Sequence, residues 1–339
     1  MTGLPKPAPI REFGPVGADE FQEIRSLGKP AVLRGLASNW PAVRTARQGS
    51  REIVAYLKQF RSVTRPAAIV GPPEIHGRFF YNEDLTALNF QRGVTDLAPF
   101  LDRLLRDRDE PAPYAMAIQS EPIAQLLPGF EAENRIDILN REVPPRAWIG
   151  NRIQVATHYD LQENVGIVVA GRRRFTVFPP DQLRNLYPGP FELTPAGTPI
   201  CMVDPHNPDL ERFPRFAEAM KMAEQAELGP GDGIYIPYHW WHGVDSLDPV
   251  SLFVNYWWSD AVPGAGGAYD ALMHALFALK VLPPEQREVW RMVFDHYIFC
   301  ANGDPGEHLP EHARGILGPA TPTLLNRMRM TLKKIAAGL

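Results

Sequence analysis

Residues 148–160, W-I-G-N-R-I-Q-V-A-T-H-Y-D, and 229–244, G-P-G-D-G-I-Y-I-P-Y-H-W-W-H-G-V, decide the fold. Around them lie N-V-G-I-V-V-A-G (164–171), R-R-R-F-T-V-F-P (172–179), A-E-Q-A-E-L (223–228) and V-S-L-F-V-N-Y-W-W (250–258). All are strand-length runs of Val, Ile, Phe and Tyr, separated by Gly, Pro and Asp turn residues. Many short strands at close spacing predict an all-β sandwich or barrel. An irregular insertion at 181–222 carries seven prolines, at 188, 190, 195, 199, 205, 208 and 214, and ends in a short helix, F-P-R-F-A-E-A-M-K-M-A (213–223). Further prolines at 179, 180 and 237 stand where a barrel strand must stop its ladder and turn.

Outward from this centre the texture changes. Residues 21–43 predict a helix, a Gly-Lys-Pro break at 28–30 and a short strand at 31–33; 50–60 and 94–108 have helical spacing. P-A-A-I-V-G (66–71) and R-F-F-Y-N (78–82) predict a strand pair, and Y-A-M-A-I-Q-S (114–120) another strand. Three amphipathic helices follow at 268–282, 284–299 and 321–339. They are too few for a core of their own, so their apolar faces are expected to pack on the barrel or on a second subunit.

The chain has 339 residues, enough for one large domain with an appendage. Its net charge of −4 argues against a nucleic-acid or anionic-membrane partner. Cys201 and Cys300, far apart and without C-x-x-C spacing, give no disulfide framework or zinc site, so a reducing compartment is expected. The N-terminal residues lack the apolar run of a signal peptide, and no stretch approaches a membrane-spanning length. These features predict a cytoplasmic protein.

His158 and Asp160 stand two apart on a predicted strand, so both side chains leave one face. Alone the pair says little, since nine histidines produce such spacing by chance. The second stretch, a tight hairpin turn feeding a strand, brings His242 to a fixed place. Two histidines and one carboxylate on one face of an iron leave three coordination positions open, the arrangement of non-heme iron(II) oxygenases. His158, Asp160 and His242 are therefore the candidate metal ligands. A closed zinc site would want a fourth ligand, usually cysteine.

With these pieces in place, residues 15–260 resemble the JmjC/cupin-like family of Fe(II)/2-oxoglutarate oxygenases, in the branch containing the asparaginyl hydroxylase of hypoxia-inducible factor. The matching motifs, in order, are T-H-Y-D-L-Q-E-N-V, the G-R-R-R-F-T-V-F-P-P-D-Q-L-R-N-L-Y-P strand, N-P-D-L-E-R-F-P-R-F, P-G-D-G-I-Y-I-P-Y-H-W-W-H and L-F-V-N-Y-W-W, with L-R-G-L-A-S-N-W-P-A (33–42) at the entry. The resemblance implies that Arg173, at a position where the hydroxylase has Lys, pairs with the distal carboxylate of 2-oxoglutarate. Alternation agrees, placing Arg172 and Arg174 on the other strand face. Asn164 and Asn255 match amides near the metal and co-substrate, although either also suits a satisfied strand amide. Tyr114 and Gln119 fall, in a looser alignment, where the family lines the co-substrate pocket; core packing explains them as well.

One departure concerns a co-substrate-binding Thr three residues before the first metal His, here Val155. Strand parity puts residues 156, 158 and 160 on one face and 155 and 157 on the other, so Thr157 is not expected to substitute. The aromatics at 238, 240, 241 and 256–258 suit a core or a substrate wall. His239 is read as structural, and for His206, on the insertion, a place at the barrel mouth is only the minor alternative.

The resulting expectation is a mainly β protein with α: a double-stranded β-helix (jelly-roll) barrel with flanking helices at 1–262, and a helical dimerisation segment at 263–339. Its implied activity is Fe(II)- and 2-oxoglutarate-dependent hydroxylation of a protein side chain, peptide or small molecule, in a homodimer joined through the C-terminal helices. The alternative is a cupin-like metal- or ligand-binding module without 2-oxoglutarate turnover, for which Val155 and Arg173 speak. Chromatin binding is disfavoured, with no reader domain, zinc cluster or basic patch in the sequence.

Overall fold

The computed structural model describes residues 4–139 and 142–337. Before the barrel lie β1 (Ala8–Pro9), β2 (Glu12–Phe13), β3 (Ala31–Leu33), β4 (Ala67–Gly71), β5 (Arg78–Phe79), β6 (Gln91–Val94) and β7 (Ala115–Pro122). The barrel strands are β8 (Pro145–Gly150), β9 (Gln154–Tyr159), β10 (Glu163–Ala170), β11 (Arg173–Phe178), β12 (Glu224–Leu228), β13 (Gly233–Ile236), β14 (Trp241–Ser246) and β15 (Ser251–Trp258). They form a six-stranded sheet, β1-β12-β11-β14-β9-β5, and a nine-stranded sheet, β2-β3-β13-β10-β15-β8-β7-β4-β6.

The eight barrel strands divide evenly between the sheets and enclose a core of Phe175, Val177, Leu228, Val244, Ile234 and Phe253 among others. On its other face the nine-stranded sheet is covered by α1 (Ala18–Ser26), α2 (Pro41–Ala46), α3 (Ser50–Leu57), α4 (Leu97–Arg106) and α5 (Ile123–Leu126). Burial on both faces explains why β10 and β15 read as continuous apolar runs rather than as alternation. Gly171, at φ 71°, makes the turn between β10 and β11 that the Gly-plus-basic run announces.

Gly166, in the middle of β10, has a different reason. A Cβ there would lie 1.9 Å from Cζ of Phe253. Gly166→Ala is expected to destabilise the fold by about 1–3 kcal/mol through overpacking, measurable by urea denaturation.

One expectation is corrected. The segments at 66–71 and 78–82 do form strands, but not a pair. β4 pairs with β6 and β7, whereas β5 runs parallel to β9 in the other sheet. A 3-10 turn at Pro73–Ile75, followed by His76 and Gly77 at φ 49° and 82°, redirects the chain between the sheets.

Residues Asp260–Leu339 separate as a second compact unit from Met1–Ser259. It holds α7 (Ala268–Leu279), α8 (Pro284–Tyr297) and α9 (Pro322–Ala337); the last two residues of the expected third helix lie outside the described residues. α6 (Phe216–Lys221) is the helix that closes the insertion. Among the described residues of the second unit, Leu324 and Pro305 carry the buried apolar side chains, while Phe277, Val281, Phe299 and Leu332 are exposed. No helix among the described residues is long and apolar enough to cross a membrane.

Candidate metal centre and its cavity

β9 ends by presenting His158, the turn after it carries Asp160, and β14 opens with Trp241 and His242 directly across from Tyr159 and His158. Each imidazole Nδ1 meets a main-chain carbonyl, Ala156 O at 2.9 Å and Trp240 O at 3.1 Å. A carbonyl only accepts, so Nδ1 carries a proton in both rings, and Nε2 is the nitrogen left to face a metal. Those two Nε2 atoms face the Asp160 carboxylate, at 3.8 Å to Oδ1 and 3.6 Å to Oδ2. The three ligand atoms lie within 4.8 Å of one another. Burial, followed by the neighbouring His242, pushes the His158 pKa down to about 4. His158 is therefore neutral near pH 7, the form a metal needs. This donor set fits a divalent metal bound on one face.

Asp160 is held in turn. Its Oδ2 accepts from Trp257 Nε1 at 3.1 Å and from Asn164 Nδ2 at 3.4 Å. Asn164 Oδ1 accepts from Asn255 Nδ2 at 3.1 Å, and Asn255 Oδ1 from Trp148 Nε1 at 2.8 Å. The two asparagines thus belong to one relay that ends on the carboxylate, and each amide is satisfied by it. Outer partners of this kind fix ligand orientation.

The triad opens into a cavity of about 480 Å³. Arg173 lines it, 6% exposed, with Nε donating to Ser251 Oγ at 3.1 Å and its guanidinium 4.7 Å from the Phe253 ring centroid. No carboxylate among the described residues pairs with it, and burial pushes its pKa down to about 9. Arg172 and Arg174 instead form exposed ion pairs with Glu227 and Asp248. A buried cation without a protein counter-ion is costly unless a ligand supplies the anion.

Gln119 also lines the cavity. Tyr114 does not: its side chain is 47% exposed, its ring centroid lies 5.4 Å from the Arg103 guanidinium carbon, and its main-chain carbonyl accepts from Asn151. Strand parity fails at Val155. Between the pairs His158–His242 and Val155–Val244, β9 has one residue more than β14, a bulge packed where Gly243 lacks a side chain. The extra residue turns Val155 onto the face of His158, and it lines the cavity; buried Thr157 faces away from it.

Sequence reasoning missed Phe79, Phe90 and Arg92 at the cavity wall, because two-residue β5 and wholly exposed β6 show no periodicity. From the insertion, Thr194 to Gly197 border the cavity. His239 sits in a turn at φ 62° and stacks on Tyr159.

His206 lies outside the cavity, with Nε2 3.0 Å from Asp245 Oδ1. That bond raises its pKa against opposing burial. A folded-state pKa raised above the unfolded value of about 6.5 gives stability that is full below it and lost as pH rises through the folded value. Thermal denaturation across neutral pH is expected to show this loss in the parent protein and not in His206→Gln.

The comparisons with known proteins agree with this geometry. A family model described as a cupin-like domain matches residues 17–262, most of the chain. The chain belongs to the cupin-like domain family. Within this cupin-like family it stands in the JmjC class, whose members depend in general on iron(II) and 2-oxoglutarate. It is 40% identical over 259 residues to HSPB1-associated protein 1 of Homo sapiens, covering 73% of this chain and 51% of that protein. To lysine-specific demethylase JMJ31 of Arabidopsis thaliana it is 36% identical over 270 residues, 71% and 48% of the respective chains. To lysine-specific demethylase 8 of Xenopus tropicalis it is 25% identical over 239 residues, 68% and 48%. The cupin-like chain thus spans about half the length of these curated relatives.

Proposed function

We propose that this protein is an Fe(II)- and 2-oxoglutarate-dependent oxygenase that hydroxylates a protein side chain, peptide or small molecule. The observation that carries the reading is one cavity with two features: a convergent His-Asp-His set and a buried arginine without a carboxylate partner among the described residues. His158, Asp160 and His242 would hold iron(II). Bound iron with 2-oxoglutarate and oxygen supplies the oxidant, yielding succinate and carbon dioxide. Arg173 binds the distal carboxylate of the co-substrate through its planar fork, with Ser251 fixing Nε. Asn164 and Asn255 transmit the packing of Trp148 to Asp160 and hold its carboxylate in place. Gln119 offers an amide on the cavity wall.

The test is succinate formed from 2-oxoglutarate with iron(II), followed by NMR. Turnover is expected in the parent protein and absent in His158→Ala; no succinate from iron-loaded parent protein overturns the reading. Val155 favours a second reading, a cupin-like binding module without turnover, since it puts a methyl group on the cavity face where the resembling hydroxylase has a hydroxyl. Retained metal binding without succinate would select it.

We also propose a cytoplasmic homodimer joined through α7, α8 and α9, supported by the exposed apolar side chains of that unit. The expected light-scattering mass is that of two chains, falling to one on deletion of residues 263–339.

A further inference from the structure

The charges around the cavity are one-sided. Among its lining residues Asp160 is the only carboxylate, and both of its oxygens already serve the triad and the Trp257 indole. The two guanidinium groups are Arg173, buried, and Arg92, exposed on β6. Arg92 donates through Nη2 to the carbonyl of Pro195 at 3.4 Å, and its guanidinium carbon lies 5.7 Å from the Phe90 ring centroid. No carboxylate among the described residues pairs with it. The loop it touches is tied down a second time by the buried Tyr81, whose hydroxyl donates to Leu193 O at 3.0 Å.

A lysine or arginine side chain entering this cavity would find no free carboxylate and would pass a fixed cation. A methylated ammonium recognised by aromatic rings would also find Phe90 adjacent to that cation. An anion meets the opposite situation: a planar donor at the entrance whose remaining N–H groups are open to a carboxylate.

From this we infer that the substrate carries a carboxylate and docks it on Arg92, so that the site selects against Lys and Arg side chains. The inference rests on the oxygenase reading of the cavity and names its substrate class. The carboxylate belongs either to Asp or Glu of a peptide or to a free small acid; the chemistry at Arg92 is the same, and the assay separates the two.

The 339-residue chain, loaded with manganese(II) and saturating 2-oxoglutarate without oxygen, is titrated into two labelled peptide pools of equal length and read by fluorescence anisotropy. One pool is rich in Asp and Glu, the other in Lys, Arg and trimethyllysine. Unlabelled glutarate, with the co-substrate site filled, serves as the small-acid arm. The acidic pool is expected to bind at least about tenfold more tightly than the basic pool, with Arg92→Glu reversing the order and Arg92→Lys keeping it. Glutarate displacing the acidic pool at equal molar affinity assigns the carboxylate to a small acid, and weaker displacement assigns it to a peptide.

Equal or tighter binding of the basic pool, binding of neither pool nor glutarate, or an order unchanged in Arg92→Glu overturns the inference. Each pool is also titrated without 2-oxoglutarate. Loss of the acidic preference while 2-oxoglutarate still binds is failure of this inference alone. Absence of 2-oxoglutarate binding, with the acidic preference intact, is failure of the oxygenase reading alone.

Discussion

Arg173→Met is expected to weaken recognition of 2-oxoglutarate severely while leaving the unliganded protein at least as stable as the parent. The two effects have one cause. In the free protein the guanidinium is buried beside Phe253, donates to Ser251, and has no carboxylate partner among the described residues. A methionine of similar length relieves that desolvation, and such replacements are often neutral or stabilising. Once co-substrate enters, the balance reverses, because its carboxylate would be left buried and unpaired. Truncating one partner of a buried charge pair costs about 2–5 kcal/mol, so affinity is expected to fall roughly 30-fold to several thousand-fold. Thermal shift reads both: an unchanged or higher Tm without ligand, and loss of the rise that 2-oxoglutarate gives the metal-loaded parent. A substantially lower Tm without ligand would show that Arg173 is a structural cation.

The second large effect is expected at Asp160. Asp160→Ala removes the carboxylate opposite both Nε2 atoms and strips the Trp257 indole and the Asn164 amide of their acceptor. Partners one layer beyond the ligands are typically worth about 10–100-fold in metal affinity, so loss of a ligand itself should exceed about 100-fold. Calorimetric titration with manganese(II) measures this. Unchanged affinity would place the metal elsewhere.

The sequence made the barrel legible because its strands are short, β-branched and punctuated, and the C-terminal helices because their spacing is regular. Three features stayed out of reach for physical reasons. The faces along β9 follow parity only as far as the bulge, and nothing in V-A-T-H announces that β14 has one residue fewer opposite it. Segments 66–71 and 78–82 look like hairpin partners, yet a turn at 73–77 sends them to different sheets, a choice made by tertiary packing. Arg92 lies on an exposed strand with no apolar pattern, so only the folded chain shows that it borders the cavity. Arg173, by contrast, was accessible to alternation, since the two neighbouring arginines find carboxylates on the sheet's other face.

The triad and Arg173 are expected to address one co-substrate. Calorimetric titration of 2-oxoglutarate into the manganese(II)-loaded protein tests this most directly. The expected result is one binding site per chain, present only with metal, lost in Asp160→Ala and at least about 30-fold weaker in Arg173→Met. One bound metal ion with no 2-oxoglutarate affinity, or equal affinity without Arg173, is the contrary result.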